Sequence, residues 1–200
     1  LNEAAKHLTD GEFDFDIQTD LRDEIGELTS TFIETRKTLQ HQIHLLDTEA
    51  HRDGLTGVGN KSAFMDKEIE INHEIISGNA NFSVAVFDVN KLKVTNDIFG
   101  HMAGDKLLST VSDHLSASFG EADIFRIGGD EFVVILKNED STNCDALMTC
   151  CIEGMKNLSL EGYPECRVSC AYGASKFDAK IDHQLSDVLR RADKEMYKNK

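Results

Sequence analysis

The amino-acid sequence predicts an α/β fold, an α+β sandwich of the ferredoxin-like kind, standing behind an N-terminal helical segment. From residue 53 to the end, helix-length stretches alternate with short apolar strand runs, and a hairpin signal sits in the middle of that region. Ahead of it, residues 21–46 repeat apolar positions at the spacing of a coiled coil. The 200 residues, 40% of them hydrophobic, suffice for one well-buried domain plus an appendage.

Taken in order, the chain opens with a short helical stretch, Leu1 to Leu8, which Asp10-Gly11-Glu12-Phe13 breaks. A second helix begins near Asp20. In it Leu21, Ile25, Leu28, Phe32, Thr35, Leu39, Gln42 and Leu46 step by alternating four and three, a heptad seam with two polar interruptions. The seam favours a parallel coiled coil or bundle; an amphipathic helix packed on its own domain is the other reading. Next comes a glycine-punctuated loop, Asp53-Gly-Leu-Thr-Gly-Val-Gly-Asn-Lys-Ser-Ala-Phe64, leading into a helix that runs to about Ser77. A strand at 82–88, a helix from about Ala103 to Phe119 and the hairpin at 123–136 follow. A helix near 143–158, strands within 165–177 and a last helix from about Gln184 complete the domain.

Composition narrows the function. Thirty-six acids against 21 Lys plus Arg give a formal charge of −15, which argues against broad binding to nucleic acid or anionic lipid. A nucleotide is still compatible, provided a divalent metal neutralises its phosphates at the site. No membrane-length apolar run is present, and the first residues lack the charged start and apolar core of a secretory signal, so the chain reads as cytoplasmic. The five cysteines, Cys144, Cys150, Cys151, Cys166 and Cys170, lack paired metal spacing and are expected as free, reduced thiols. His41 and His44 share a helical face that suits a metal in principle and a solvated surface more simply.

Chemistry concentrates in the run Ile124-Phe-Arg-Ile-Gly-Gly-Asp-Glu-Phe-Val-Val-Ile-Leu136, two apolar strands around adjacent glycines and adjacent acids. Gly128 and Gly129 are expected to supply the positive φ angles of a two-residue hairpin turn and to leave room for a bound group. A second acid, Asp88, ends the strand run Phe82-Ser-Val-Ala-Val-Phe-Asp88, with the polar segment Asn90-Lys-Leu-Lys-Val-Thr-Asn-Asp97 directly after it. Strand ends tipped with carboxylates point to a hard-cation site for a phosphorylated substrate. Acids merely decorating a turn would explain the hairpin alone, but not the hairpin together with Asp88.

The segments Asp53-Gly-Leu-Thr-Gly, Asp88 through His101-Met-Ala-Gly-Asp105, Arg126-Ile-Gly-Gly-Asp-Glu-Phe132 and Arg191-Ala-Asp-Lys-Glu-Met-Tyr197 together resemble the GGDEF family of diguanylate cyclases. Over about the first fifty residues, two helices joined by a connector, with Asp23-Glu-Ile-Gly26 opening the second, resemble the latter part of a HAMP signalling module. The division expected is therefore residues 1–52, a partial HAMP-like segment and coiled-coil linker, and residues 53–200, the cyclase domain. The resemblance implies a nucleotidyl-cyclase-type fold with a central, mostly antiparallel sheet. It also implies condensation of two GTP into cyclic di-GMP with release of two pyrophosphates, using Mg2+ or Mn2+, two ions per site. Asp88, the Val89 carbonyl and Asp130 would hold metal; Asp130 would also help activate the attacking hydroxyl, and Glu131 would add a further metal or supporting group.

Base selection has its own logic, because a carboxylate can accept from both guanine donors, which adenine lacks, and an amide can complement the same edge. In the family the positions matching Asn96 and Asp105 contact guanine, and the one matching His101 lies at the substrate site; alone, Asn96-Asp97 would pass for a turn. Lys93 is close enough in sequence to Asp88 to reach the outer phosphates, with the amides of Lys91 and Leu92 as added donors. Lys200 matches a phosphate-binding lysine of the family. Asn90 and Leu92 replace the commoner Asp and Phe, and Phe119-Gly-Glu-Ala122 lacks the Arg-x-x-Asp product-binding motif of many relatives.

Since one domain holds one GTP, two must face each other, and the heptad helix offers a means of pairing them as a homodimer. The HAMP resemblance implies an upstream sensor and transmembrane region of the same parent chain, and a cytoplasmic domain of a bacterial inner-membrane protein. A catalytically silent GTP-binding module and a purely structural dimerisation domain are the competing classes. The second leaves Asp88, Asn96, Asp105 and Asp130 without a joint purpose.

Overall fold

The computed structural model describes residues 24–199, with the side chains of 24–26 and 43–47 excepted. The chain divides between Ala50 and His51 into two compact units. The first contains α1 (Glu24–His51), one uninterrupted helix of 28 residues, as its heptad pattern predicts. Leu28 and Leu39 of the seam are exposed at 60% and 37%, so in the single chain these apolar positions are uncovered. The expected first helix, its break at Asp10 to Phe13, and Leu21 lie outside the described residues.

The second unit is a four-stranded sheet, entirely antiparallel, between helices. Its elements are α2 (Lys61–Ile76), β1 (Phe82–Val89), α3 (Leu92–Phe99), α4 (His101–Phe119), β2 (Asp123–Arg126), β3 (Glu131–Lys137), α5 (Asn138–Thr142), α6 (Cys144–Met155), β4 (Cys170–Lys176) and α7 (Leu185–Lys198). The strands lie in the order β2-β3-β1-β4, which puts β1 in the interior of the sheet. Strand periodicity explains the layering. Val84 and Val86 of β1 face one core with Val133, Ile135, Ile71, Leu185 and Val188, beneath α2 and α7. The alternate residues Ala85, Phe87 and Val89 face the other core with Leu107, Val111, Leu115, Met148 and Cys151, beneath α4 and α6. With both faces covered, all eight residues of β1 are buried.

Local chemistry sets the element ends. Asn60 caps α2 by accepting from the Ser62 and Ala63 amides. Helix α7 lies almost backbone to backbone on β4: a Cβ on Gly173 would sit 2.3 Å from both the Ala192 carbonyl oxygen and the Met196 nitrogen. Among the buried polar side chains, Ser83 of β1 and Ser141 of α5 satisfy each other, hydroxyl to hydroxyl at 3.0 Å. The segment after β1, which pattern reading leaves polar and irregular, contains the helix α3, so Asn96-Asp97 is helical and not a turn. All five cysteines are free, four of them buried.

Candidate active site

Strand β1 carries Asp88 and Val89 to the end of the sheet, where Asp88 is the register partner of Glu131 on β3. The Val89 amide donates to the Asp130 carbonyl at 2.9 Å, so the hairpin tip is clamped to the end of β1. Residues directly opposite in an antiparallel pair place their Cβ atoms about 4.5–5.5 Å apart, and like charges there destabilise the sheet. Asp88 is only 8% exposed. Two opposed carboxylates in such a place suit a cation, and an all-oxygen donor set suits a hard one. The described residues contain no group of three His, Cys, Asp or Glu side chains arranged around a metal position. An ion held by members of the set Asp88, the Val89 carbonyl, Asp130 and Glu131 would therefore take fewer than three carboxylates at once and complete its shell with water or phosphate oxygens, as Mg2+ does.

The tip itself differs from the two-residue turn expected. Strand β2 ends at Arg126 and β3 begins at Glu131, and the loop between closes through the Ile127 amide donating to the Glu131 carbonyl at 3.0 Å. Neither Gly128 nor Gly129 has positive φ, because a loop this wide turns the chain without left-handed residues. Their lack of side chains serves space instead. A Cβ on Gly128 would come within 2.9 Å of Glu131 Oε2, and one on Gly129 would meet nothing within 4 Å.

Arg126 braces this loop. One guanidinium nitrogen donates to the Gly129 carbonyl at 2.7 Å, and another to the Asp53 carboxylate at 3.1 and 3.3 Å. Asp53 also accepts from the Thr56 amide at 2.9 Å and its hydroxyl at 2.6 Å. Partial burial raises the Asp53 pKa, but the Thr56 hydrogen bonds and the Arg126 charge outweigh it and hold the carboxyl below its ordinary range. Both residues stand in motif segments of the sequence, yet nothing in sequence spacing pairs them across 73 positions.

The remaining predicted residues lie on α3 and α4. Lys91, one of the two residues whose amides were expected to meet phosphate, takes a left-handed conformation, φ 61°, and no side chain caps the first amides of α3. Lys93 is exposed and, among the described residues, makes no ion pair. Asn96 packs against the first turn of α4: a Cβ on Gly104 would fall 2.0 Å from Asn96 Oδ1, which is buried without a hydrogen-bond partner. His101 and Asp105, four residues apart and both exposed, share that first turn. Gly104, which no pattern in the sequence marks, lets α3 and α4 approach. Lys200 lies outside the described residues. Phe119, where many relatives begin a product-binding motif, is buried and packs on Phe87 with ring centroids 5.8 Å apart.

Comparison with known proteins bears on the family and the fold. A family model described as diguanylate cyclase, GGDEF domain, matches residues 50–200. The chain belongs to the GGDEF family. A HAMP domain model matches residues 1–41. Among curated GGDEF relatives, probable diguanylate cyclase DgcC of Escherichia coli is 26% identical over 171 residues, covering 84% of this chain and 45% of that protein. Cyclic di-GMP phosphodiesterase PdeR of the same organism is 29% identical over 171 residues, covering 84% of this chain but 25% of its own length. The chain thus spans less than half of either relative. The coiled coil and GGDEF domain of DgcB from Caulobacter crescentus, solved with c-di-GMP, superimposes with a TM-score of 0.74 at 21% identity, covering 86% of this chain and 91% of that one. The GGDEF fold, with its four-stranded antiparallel sheet and preceding helix, is therefore the one predicted.

Proposed function

We propose that this chain is a diguanylate cyclase, joining two GTP into cyclic di-GMP with release of two pyrophosphates. The observation that carries the reading is the meeting of Asp88 with Glu131 in register while Val89 holds Asp130. In each of two equivalent steps a ribose 3′-oxygen attacks an α-phosphorus, its proton leaves to base, and the bond to the pyrophosphate oxygen breaks. Asp130 orients and helps deprotonate that hydroxyl. Magnesium held by Asp88, the Val89 carbonyl, Asp130 and Glu131 would supply neutralisation of phosphate charge. Lys93 and the α3 amides, joined by Lys200, bind the outer phosphates. Asn96, His101 and Asp105 frame the guanine, whose two donors suit the Asp105 carboxylate. Gly128 and Gly129 keep the loop open to the nucleotide.

Each domain offers one such site, so a homodimer is needed, assembled through α1 and the HAMP segment under an upstream sensor. Residues 1–52 would be the signalling part and 53–200 the catalytic part, on the cytoplasmic side of a bacterial inner membrane. No helix among the described residues is long and apolar enough to cross a membrane. A GTP-binding module without turnover is the second reading, favoured by the phosphodiesterase among the relatives. Incubation of the dimer with GTP and magnesium separates the two. Cyclic di-GMP that disappears in Asp130→Asn supports the cyclase; GTP binding without product from the properly dimeric, full-length protein supports the silent module.

A further inference from the structure

A helical threonine ordinarily turns its hydroxyl back on its own helix, and Thr31, Thr35, Thr38, Thr110, Thr142 and Thr149 all donate to the carbonyl four residues before them. Thr95 of α3 is placed differently. Its hydroxyl crosses to the Cys166 sulfur at 3.4 Å, and both residues are buried, at 5% and 8% exposure. The pair belongs to a series. As the position rises from Asn90 through Thr95 and Phe99 to Lys106, its partner falls from Ser169 through Cys166 and Tyr163 to Glu161. The segment 161–169 therefore runs antiparallel along α3 and the start of α4, and of these four contacts only Thr95–Cys166 has both ends buried.

That bond sits one residue from Asn96, which the cyclase reading sets against guanine. Helix α3 has 8 residues, about two turns, and no side chain caps its start. Leu92 and Phe99 pack it on the core, but apolar contact has no preferred direction and leaves the helix free to roll. Side-chain tips stand about 5–6 Å from a helix axis, so a roll of about 15° moves one by about 1.5 Å, more than a hydrogen bond tolerates. Asn96 cannot resist this by itself, because its buried Oδ1 has no partner. A directional bond at the middle of the helix can.

We propose that Thr95 is a positioning residue for base recognition: held by Cys166, it fixes the roll of α3 and with it the reach of Asn96. The inference rests on the cyclase reading above and adds to it a residue that touches no nucleotide. Thr95 acts through Asn96, so loss of its hydroxyl should matter only while the amide is there to be aimed.

The test is calorimetric binding of a non-hydrolysable GTP analogue to the full chain with magnesium. Thr95→Val keeps the side-chain shape and removes the hydroxyl; it and Cys166→Ala should each weaken binding about 3-fold or more, within the range of one lost hydrogen bond. Thr95→Ser, which keeps the hydroxyl, should bind within about 1.5-fold of the parent. In an Asn96→Ala background, Thr95→Val should bring no further loss beyond about 1.5-fold. Parent-like binding by Thr95→Val and Cys166→Ala would overturn the proposal, as would an equal loss with and without Asn96, the mark of general loosening. Binding unaffected by Asn96→Ala would remove both the proposal and the guanine role of α3. The expected pattern in a protein that makes no cyclic di-GMP would leave the positioning intact and sink the cyclase reading alone.

Discussion

Replacing Gly104 with Ala should damage substrate recognition while leaving the fold at least as stable. The added Cβ would stand 2.0 Å from Asn96 Oδ1, 2.9 Å from its Cγ and 3.2 Å from its Nδ2. Ordinary contact begins near 3.4 Å, so the amide must retreat by about 1.4 Å or rotate away. The proposed hydrogen bond of Asn96 to guanine, about 2.9 Å, would not survive that displacement. A neutral hydrogen bond contributes roughly 0.5–1.5 kcal/mol, which converts to about a 2- to 13-fold rise in KM for GTP, with kcat much less affected. Stability runs the other way. Inside α4, Ala is preferred over Gly by about 1 kcal/mol, which offsets the cost of moving one amide whose carbonyl oxygen has no partner to lose. The assay is initial-rate kinetics over GTP concentration beside thermal unfolding of the same samples. A KM equal to that of the parent would refute the reasoning, as would a large fall in Tm, which would mean that α4 and not the amide gave way.

Three other outcomes are expected. In Asp53→Asn the carboxylate held low by Thr56 and Arg126 is gone; since its folded pKa lies below the unfolded value of about 3.9, its stabilisation exists above that pH and is lost as pH falls through the folded value. Urea unfolding should therefore show a deficit of about 1 kcal/mol at neutral pH, small because the pair is partly solvated, shrinking toward pH 2; a pH-independent deficit would contradict it. Native protein should show one fast thiol toward a disulfide reagent, Cys150, which is exposed, because burial raises the pKa of Cys144 and Cys151 and pushes Cys170 up to about 12; any fast thiol remaining after Cys150→Ser would be inconsistent with this core. Leu28→Asp with Leu39→Asp should abolish dimerisation in sedimentation and turnover with it, since both seam positions are exposed in the single chain; full activity from the double variant would remove α1 from the mechanism.

What the sequence discloses follows from the range of the interactions involved. The apolar run within Phe82 to Asp88 and the heptads of α1 are local patterns, and both elements appear where those patterns place them. Helix α3 was hidden because Asn90 to Asp97 reads as polar punctuation; its apolar members Leu92 and Phe99 pack on the core beneath α4, a tertiary contact that no local pattern shows. Of the two duties expected of the glycine pair, the positive φ of a tight turn is the one not met. Composition marks Gly128-Gly129 as a tight turn, whereas the loop length is set by where β2 leaves β3, which only strand register reveals. The acids were legible individually, but their meeting depends on a long-range pairing of Asp88 with Glu131. The Arg126 brace was out of reach for the same reason.

Ser83 and Ser141 bear on that pairing from the far end of β1. A slip of β1 by two residues would keep every apolar side chain on its own side of the sheet, so hydrophobicity alone polices such an error weakly. It would, however, strand a buried hydroxyl without its mate. Five positions on, about 17 Å along an extended strand, the same slip would carry the Asp88 carboxylate off its opposite number. The serine couple thus works as a vernier: a minor bond at the far end of β1 that favours the alignment in which Asp88 faces Glu131.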